Sequence, residues 1–134
     1  MKLLVDTHIA LWWITGSDKL SRKGLTFLDE RENELLVSIA SIWEVAIKHR
    51  LHPDRVSMSE VEYAKYCGAA GFNVLPIKIR HIFALQTLTR PETAPKHQDP
   101  FDRIMIAQAK TEQMFFLTHD ALLPYYNEPY ILFV

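Results

Sequence analysis

Apolar residues fall in two patterns along the chain. Short continuous runs (Lys2–Val5, Leu35–Val37, Val74–Leu75, Phe115–Leu117 and Tyr130–Val134) read as strands. Between them lie segments with apolar positions three and four apart, the spacing of a helix that buries one side. This spacing predicts helices over Thr7–Ile14, Ser21–Arg31 (Leu25 and Leu28 inward), Ile39–Leu51, Ser59–Ala70 and Lys78–Thr89, and one beginning at Pro100. A further turn of helix is expected at Ala121–Leu123. Gly16-Ser17-Asp18 and His52-Pro53-Asp54 are breakers, and Arg90–Gln98 is a polar, proline-containing loop. Apolar strands alternating with helices predict an α/β fold: a central, mainly parallel sheet of four to five short strands flanked by helices.

The segment from His97 to Lys110 breaks its own pattern. Pro100 suits the first helical position and Asp99 the N-cap before it. Asp102, however, shares one helical face with Met105, Ile106 and Ala109. A charge on an apolar face costs free energy unless a partner compensates it. Glu44 repeats the conflict beside Ala40, Ile47 and Leu51. Asp6 follows the first strand and Asp120 the strand Phe115–Leu117. In a parallel sheet all four acids fall on one edge, the edge where such folds bind ligands. Two carboxylates ~4 Å apart at an effective dielectric of ~20 repel by about 4 kcal/mol. The cluster therefore calls for protons or a cation, and oxygen-only ligands suit Mg²⁺ or Mn²⁺. Acidic sites with such ions carry out in-line phosphodiester hydrolysis.

Each acid also has a plain structural role open to it. Asp6 and Asp120 suit helix caps, Glu44 fits a capping box with Ser41, and Asp99 with Asp102 fits a related box. Thr118 suits a cap or strand-end hydroxyl, and Arg103 a partnership with either Asp99 or a substrate phosphate. The six histidines lack zinc-ligand spacing and read mostly as surface residues. Trp12 and Trp13 point about 100° apart on a helix, so they cannot both face one core. Lys48-His49-Arg50 reads as a solvated helix end that could also meet phosphates.

Composition narrows the classes further. The 134 residues suit one domain (1–134) with a real core, 49% hydrophobic and 23% charged. No apolar run reaches membrane-spanning length, and Asp6 comes too early for a secretory signal. The single cysteine, Cys67, allows no internal disulfide, so a cytoplasmic location is expected. The formal net charge of −1 gives no global attraction to nucleic acid, so any such substrate must be held by local cations or metal.

Leu-Leu-Val-Asp6-Thr7-His8, Val37-Ser-Ile-Ala-Ser-Ile-Trp-Glu44-Val-Ala-Ile-Lys48, His97-Gln-Asp99-Pro-Phe-Asp102-Arg103-Ile-Met-Ile-Ala107-Gln-Ala109 and Leu117-Thr118-His-Asp120 together resemble the motifs of PIN-domain proteins. More closely, they resemble VapC-type toxins of bacterial toxin–antitoxin pairs. The resemblance covers essentially the whole chain, in the family order. It implies an endoribonuclease in which Asp6, Glu44, Asp102 and Asp120 bind Mg²⁺ or Mn²⁺. Thr7, Asp99, Arg103 and Thr118 are then supporting or substrate-contacting residues. It also implies an RNA substrate, a homodimer and a small cognate antitoxin that silences the enzyme. From the residues alone two other functions stay open. One is a phosphohydrolase with Asp6 as nucleophile, although residue 8 is His where a second Asp is usual. The other is a non-catalytic RNA- or protein-binding module whose carboxylate pocket holds a partner's arginine.

Overall fold

A computed structural model describes residues 1–134. Its strands are β1 (Lys2–Val5), β2 (Glu34–Ser38), β3 (Asn73–Leu75), β4 (Phe115–Thr118) and β5 (Ile131–Phe133). Its helices are α1 (Thr7–Thr15), α2 (Arg22–Asp29), α3 (Ile39–Leu51), α4 (Glu60–Ala69), α5 (Ile79–Ala84) and α6 (Pro100–Glu112). The strands form one sheet in the order β3-β2-β1-β4-β5, and every pairing is parallel. The expected mainly parallel sheet is thus wholly parallel, with five strands.

β1 lies at the centre, so Leu3, Leu4 and Val5 are buried whichever way they point, and Lys2 at its start is exposed. Leu3 and Val5 enter a cluster with Ile9, Val37, Tyr63 and Leu117, whereas Leu4 joins Leu36, Met105, Ile106, Phe116 and Tyr126 on the other side. Burial on both faces is why β1, β2 and β4 read as unbroken apolar runs rather than alternations, whereas the edge strands β3 and β5 leave Val74 and Phe133 exposed.

The chain leaves β1 toward β2 and β3 on one side, then returns to place β4 on the other. The connections diverge at the carboxyl ends of β1 and β4, and a crevice opens there. Asp6 N–H bonds to Leu117 O at 2.9 Å, locking these two strand ends together.

Local signals set most helix starts. Asp99 caps α6 through the N–H groups of Phe101 and Asp102, with Pro100 in the first turn, and Ser59 and Glu62 form a capping box on α4. Several expectations need correction. Leu25 is exposed, so α2 turns only Leu28 and Gly24 fully inward. Leu51 is also exposed, at the last turn of α3 where the helix has run past the core. The long helix expected over Lys78–Thr89 is six residues of α-helix followed by a 3₁₀ turn, Leu85–Thr87, which delivers Leu88 to the core. The turn expected at Ala121–Leu123 lies at Leu123–Tyr125. Both Trp12 and Trp13 are half-buried against the first cluster, while Trp43 is exposed and lies edge-on to Phe101. No helix is long and apolar enough to cross a membrane.

Candidate active site

The crevice is a cleft of about 300 Å³ lined by Asp6, His8, Trp12, Glu44, Lys48, Asp99, Asp102, His119 and Asp120. All four acids predicted from the sequence therefore meet in one place. Asp6 ends β1, Asp120 lies two residues past β4, Glu44 is in the second turn of α3, and Asp102 is in the first turn of α6. Ligand atoms of His97, Asp102 and Asp120 lie within 4.8 Å of one another. Asp6 and Glu44 line the same cleft without joining that group.

Hydrogen bonds hold each acid. Asp6 accepts from Thr7 N–H through Oδ1 at 2.7 Å, which caps α1, and from Thr118 Oγ1 through Oδ2 at 2.7 Å. The capping role and the cleft position thus coexist. Asp120 N–H donates to Thr118 Oγ1 at 3.1 Å, and its own Oδ1 accepts from Leu122 N–H at 2.9 Å. Glu44 accepts from Thr7 Oγ1 at 2.6 Å and pairs with Lys48. The proposed Ser41–Glu44 capping box is absent, because α3 starts three residues earlier than that box requires and is capped by Ser38. Ser41 is instead buried between Thr7 Oγ1 (2.8 Å) and the Tyr63 hydroxyl (2.7 Å). Asp102 has no paired arginine or lysine. Its Oδ2 lies 3.0 Å from His97 Nε2.

Arg103 does not pair with Asp99, one of its two expected partners. It donates to the Tyr126 hydroxyl at 3.2 Å and to Leu85 O at 3.4 Å. Residue 103 follows Asp102 on a helix, so its side chain leaves about 100° around the axis from the cleft. His81, expected with most histidines at the surface, is fully buried and bonded to Glu112 and Lys78 N–H. Four residues that hold the acids were not assigned such roles from sequence: Ser41, Tyr63, His97 and Tyr126. Only His97, five residues before Asp102 in the most distinctive motif, offered a local signal.

Electrostatics show the charge conflict unrelieved. Burial pushes Asp102 up to about 9, with the charges of Asp6, Asp99, Glu44 and Asp120 adding to it. Burial likewise pushes Asp6 up to about 7, aided by Glu44 and Asp120 against the hydrogen bonds from Thr118 and Thr7. Burial lowers Lys48, but its bond to Glu44 prevails and holds it above its ordinary value. His97 is lowered, chiefly by burial, and stays neutral at pH 7. A divalent cation among these oxygens would replace the protons that Asp6 and Asp102 otherwise retain. The donor set is oxygen-rich, as Mg²⁺ and Mn²⁺ prefer.

The site opens into a larger cleft of about 840 Å³ that shares His8, Trp12 and Lys48 with it and adds Lys19, His52 and Arg55. Trp12 also packs edge-on against His119, with ring centroids 5.4 Å apart.

A wholly parallel α/β sheet with carboxylates gathered at its switch point defines the class of protein. The sequence model of the PIN domain matches residues 3–127, and the chain belongs to that family. Its structure resembles three solved structures. One is VapBC2 from Rickettsia felis bound to a DNA fragment from their promoter, at TM-score 0.67 and 14% identity over 100% of this chain and 98% of that one. Another is a toxin–antitoxin complex from Klebsiella pneumoniae, at TM-score 0.55 and 17% identity over 90% and 87%. The third is FitAB bound to an IR36 DNA fragment, at TM-score 0.56 and 18% identity over 95% and 89%. At these identities the likeness concerns the fold. Among curated proteins none matches the chain significantly.

Proposed function

We propose that this chain, residues 1–134 acting as one PIN domain, is a metal-dependent endoribonuclease and the toxin of a toxin–antitoxin pair. The observation that carries the reading is the meeting of Asp6, Glu44, Asp102 and Asp120 at one cleft, with two of them held protonated to unusually high pH. Asp6, Glu44, Asp102 and Asp120 would hold Mg²⁺ or Mn²⁺. Thr7 and Thr118 orient Asp6 and Glu44, and Asp99 fixes the start of α6. When bound, the ion supplies an activated water and offsets charge on the leaving oxygen. Lys48 lies between the two clefts, where its ammonium can meet a phosphate. An RNA strand then follows the larger cleft past Trp12 toward Lys19 and Arg55.

The structures that this chain resembles are toxin–antitoxin assemblies, and they support a small cognate antitoxin as partner. Ile79, Ile82 and Phe83 of α5 are exposed apolar side chains, and they support a homodimer. We place the protein in the cytoplasm with its RNA. A nucleophilic role for Asp6 is disfavoured, because residue 8 is His where such enzymes usually carry a second Asp.

The test is to incubate the purified protein with total RNA and tRNA in Mg²⁺ or Mn²⁺, beside Asp6→Asn and an EDTA control. Discrete metal-dependent products that the variant does not make are expected. Equal products from both proteins refute the assignment, and RNA binding without metal or cleavage favours a binding module.

A further inference from the structure

Arg103, Tyr126, His97 and Asp102 form a continuous chain of hydrogen bonds, with three of its members outside the four acids. Arg103 Nη1 is 3.2 Å from the Tyr126 hydroxyl, that hydroxyl is 2.7 Å from His97 Nδ1, and His97 Nε2 is 3.0 Å from Asp102 Oδ2. With Asp102 ionised, as a metal ligand must be, the carboxylate at one end only accepts and the guanidinium at the other only donates, and the protons between them follow. A guanidinium can only donate, so the tyrosine oxygen accepts from Arg103. Its own proton then goes to His97 Nδ1, since the alternative acceptor, His97 O, is a poorer 3.4 Å away. A ring that accepts at Nδ1 carries its hydrogen on Nε2, and that hydrogen points at Asp102. The Tyr126 side chain is fully buried and the His97 side chain is 5% exposed, so solvent does not scramble the order.

We infer that Arg103, Tyr126 and His97 are positioning residues. They lock His97 as an Nε2–H donor that occupies Asp102 Oδ2, so that Oδ1 is the oxygen offered to a divalent cation. The inference rests on the metal-dependent reading above and assigns Arg103 to the ligand's support rather than to substrate. Removing the tyrosine hydroxyl frees the ring to carry its hydrogen on Nδ1, which turns a nitrogen lone pair toward the carboxylate. Partners of this kind are generally worth roughly 10- to 100-fold in metal affinity.

The experiment is Mn²⁺ titration by calorimetry of the metal-free wild type and of Tyr126→Phe, His97→Ala and His97→Gln, with circular dichroism to confirm folding. Tyr126→Phe and His97→Ala are each expected to weaken Mn²⁺ by about 10-fold or more. His97→Gln is expected to remain within about threefold of wild type, because the glutamine amide restores a donor near the Nε2 position without needing a tautomer chosen for it. Adding Tyr126→Phe to His97→Gln should then cost little. Wild-type affinity in Tyr126→Phe and His97→Ala overturns the inference while leaving the metal site standing. Equal weakening in His97→Gln and His97→Ala also overturns it, since packing rather than donation would then matter. A wild type that binds no Mn²⁺ overturns both this inference and the metal-dependent reading.

Discussion

Asp102 is buried among the charges of Asp6, Asp99, Glu44 and Asp120 and keeps its proton to about pH 9. Removing its charge should therefore separate function from stability. Asp102→Asn is expected to lower RNA cleavage at least about a hundredfold, the loss of a few kcal/mol of charge stabilisation, with the fold retained. A carboxyl whose pKa rises on folding binds its proton more tightly folded than unfolded. Metal-free stability should thus fall as pH climbs from about 4 toward 9. The lowered histidines act in the opposite sense, but only below about pH 6.5. Melting temperatures between pH 7 and 8.5 follow the carboxyl effect below the range where the buried Cys67 thiol, pushed up to about 11, adds a loss of the same sign, and Asp102→Asn should flatten that slope. Millimolar Mn²⁺ should raise the melting temperature of the wild type most at the alkaline end. The conflict behind this behaviour was legible in the sequence, as a charge on a helical face shared with Met105, Ile106 and Ala109. Its partner was legible only as a neighbour five residues earlier, and the fold of the loop before α6 brings His97 Nε2 to Asp102 Oδ2.

α3 and α6 carry two of the acids, and a buried glutamine holds them in relation. Ser38, the cap of α3, donates through Oγ to Gln108 Oε1 at 2.6 Å, and Gln108 Nε2 donates to Pro76 O at 3.2 Å. One side chain in the middle of α6 thus ties the end of β2 to the segment after β3. Gln108→Ala leaves these groups unpaired in a dry interior and should destabilise the protein by about 2 kcal/mol in urea unfolding. Helix starts were the most legible elements, because caps are local: Asp99-Pro100 and Ser59 with Glu62 act within four residues. Ser41 with Glu44 matched the same pattern, yet Ser38 captured the cap and released Ser41 to Tyr63 and Thr7. Short-range chemistry proposes such boxes, and the strand end that feeds the helix decides between them.

Across the whole molecule charge is nearly balanced, at a formal −1, so attraction to a polyanion must be local. The larger cleft brings Lys19, Lys48 and Arg55 to one side of the carboxylates. Lys19→Glu with Arg55→Glu is expected to raise KM for RNA about tenfold or more. It should also reduce the salt dependence of binding by about one unit of log–log slope for each phosphate no longer neutralised, with Mn²⁺ affinity unchanged. An unaltered KM would place the strand elsewhere. Lys19 and Arg55 lie in separate connecting segments, and nothing in their local pattern links them.

By itself the sequence determined the succession of strands and helices and the placement of the four acids at strand ends and helix starts. These depend on periodicity and on groups a few residues apart, which the chain carries wherever it goes. The tertiary structure alone decided the sheet order and the crevice that follows from it. It also joined Arg103 to Tyr126 and set two buried tyrosines behind Glu44 and Asp102. Such arrangements join residues far apart in the chain, 37 positions for Thr7 and Glu44 and 112 for Asp6 and Thr118. Which donors meet there depends on how the crossovers pack, and a linear pattern does not encode that.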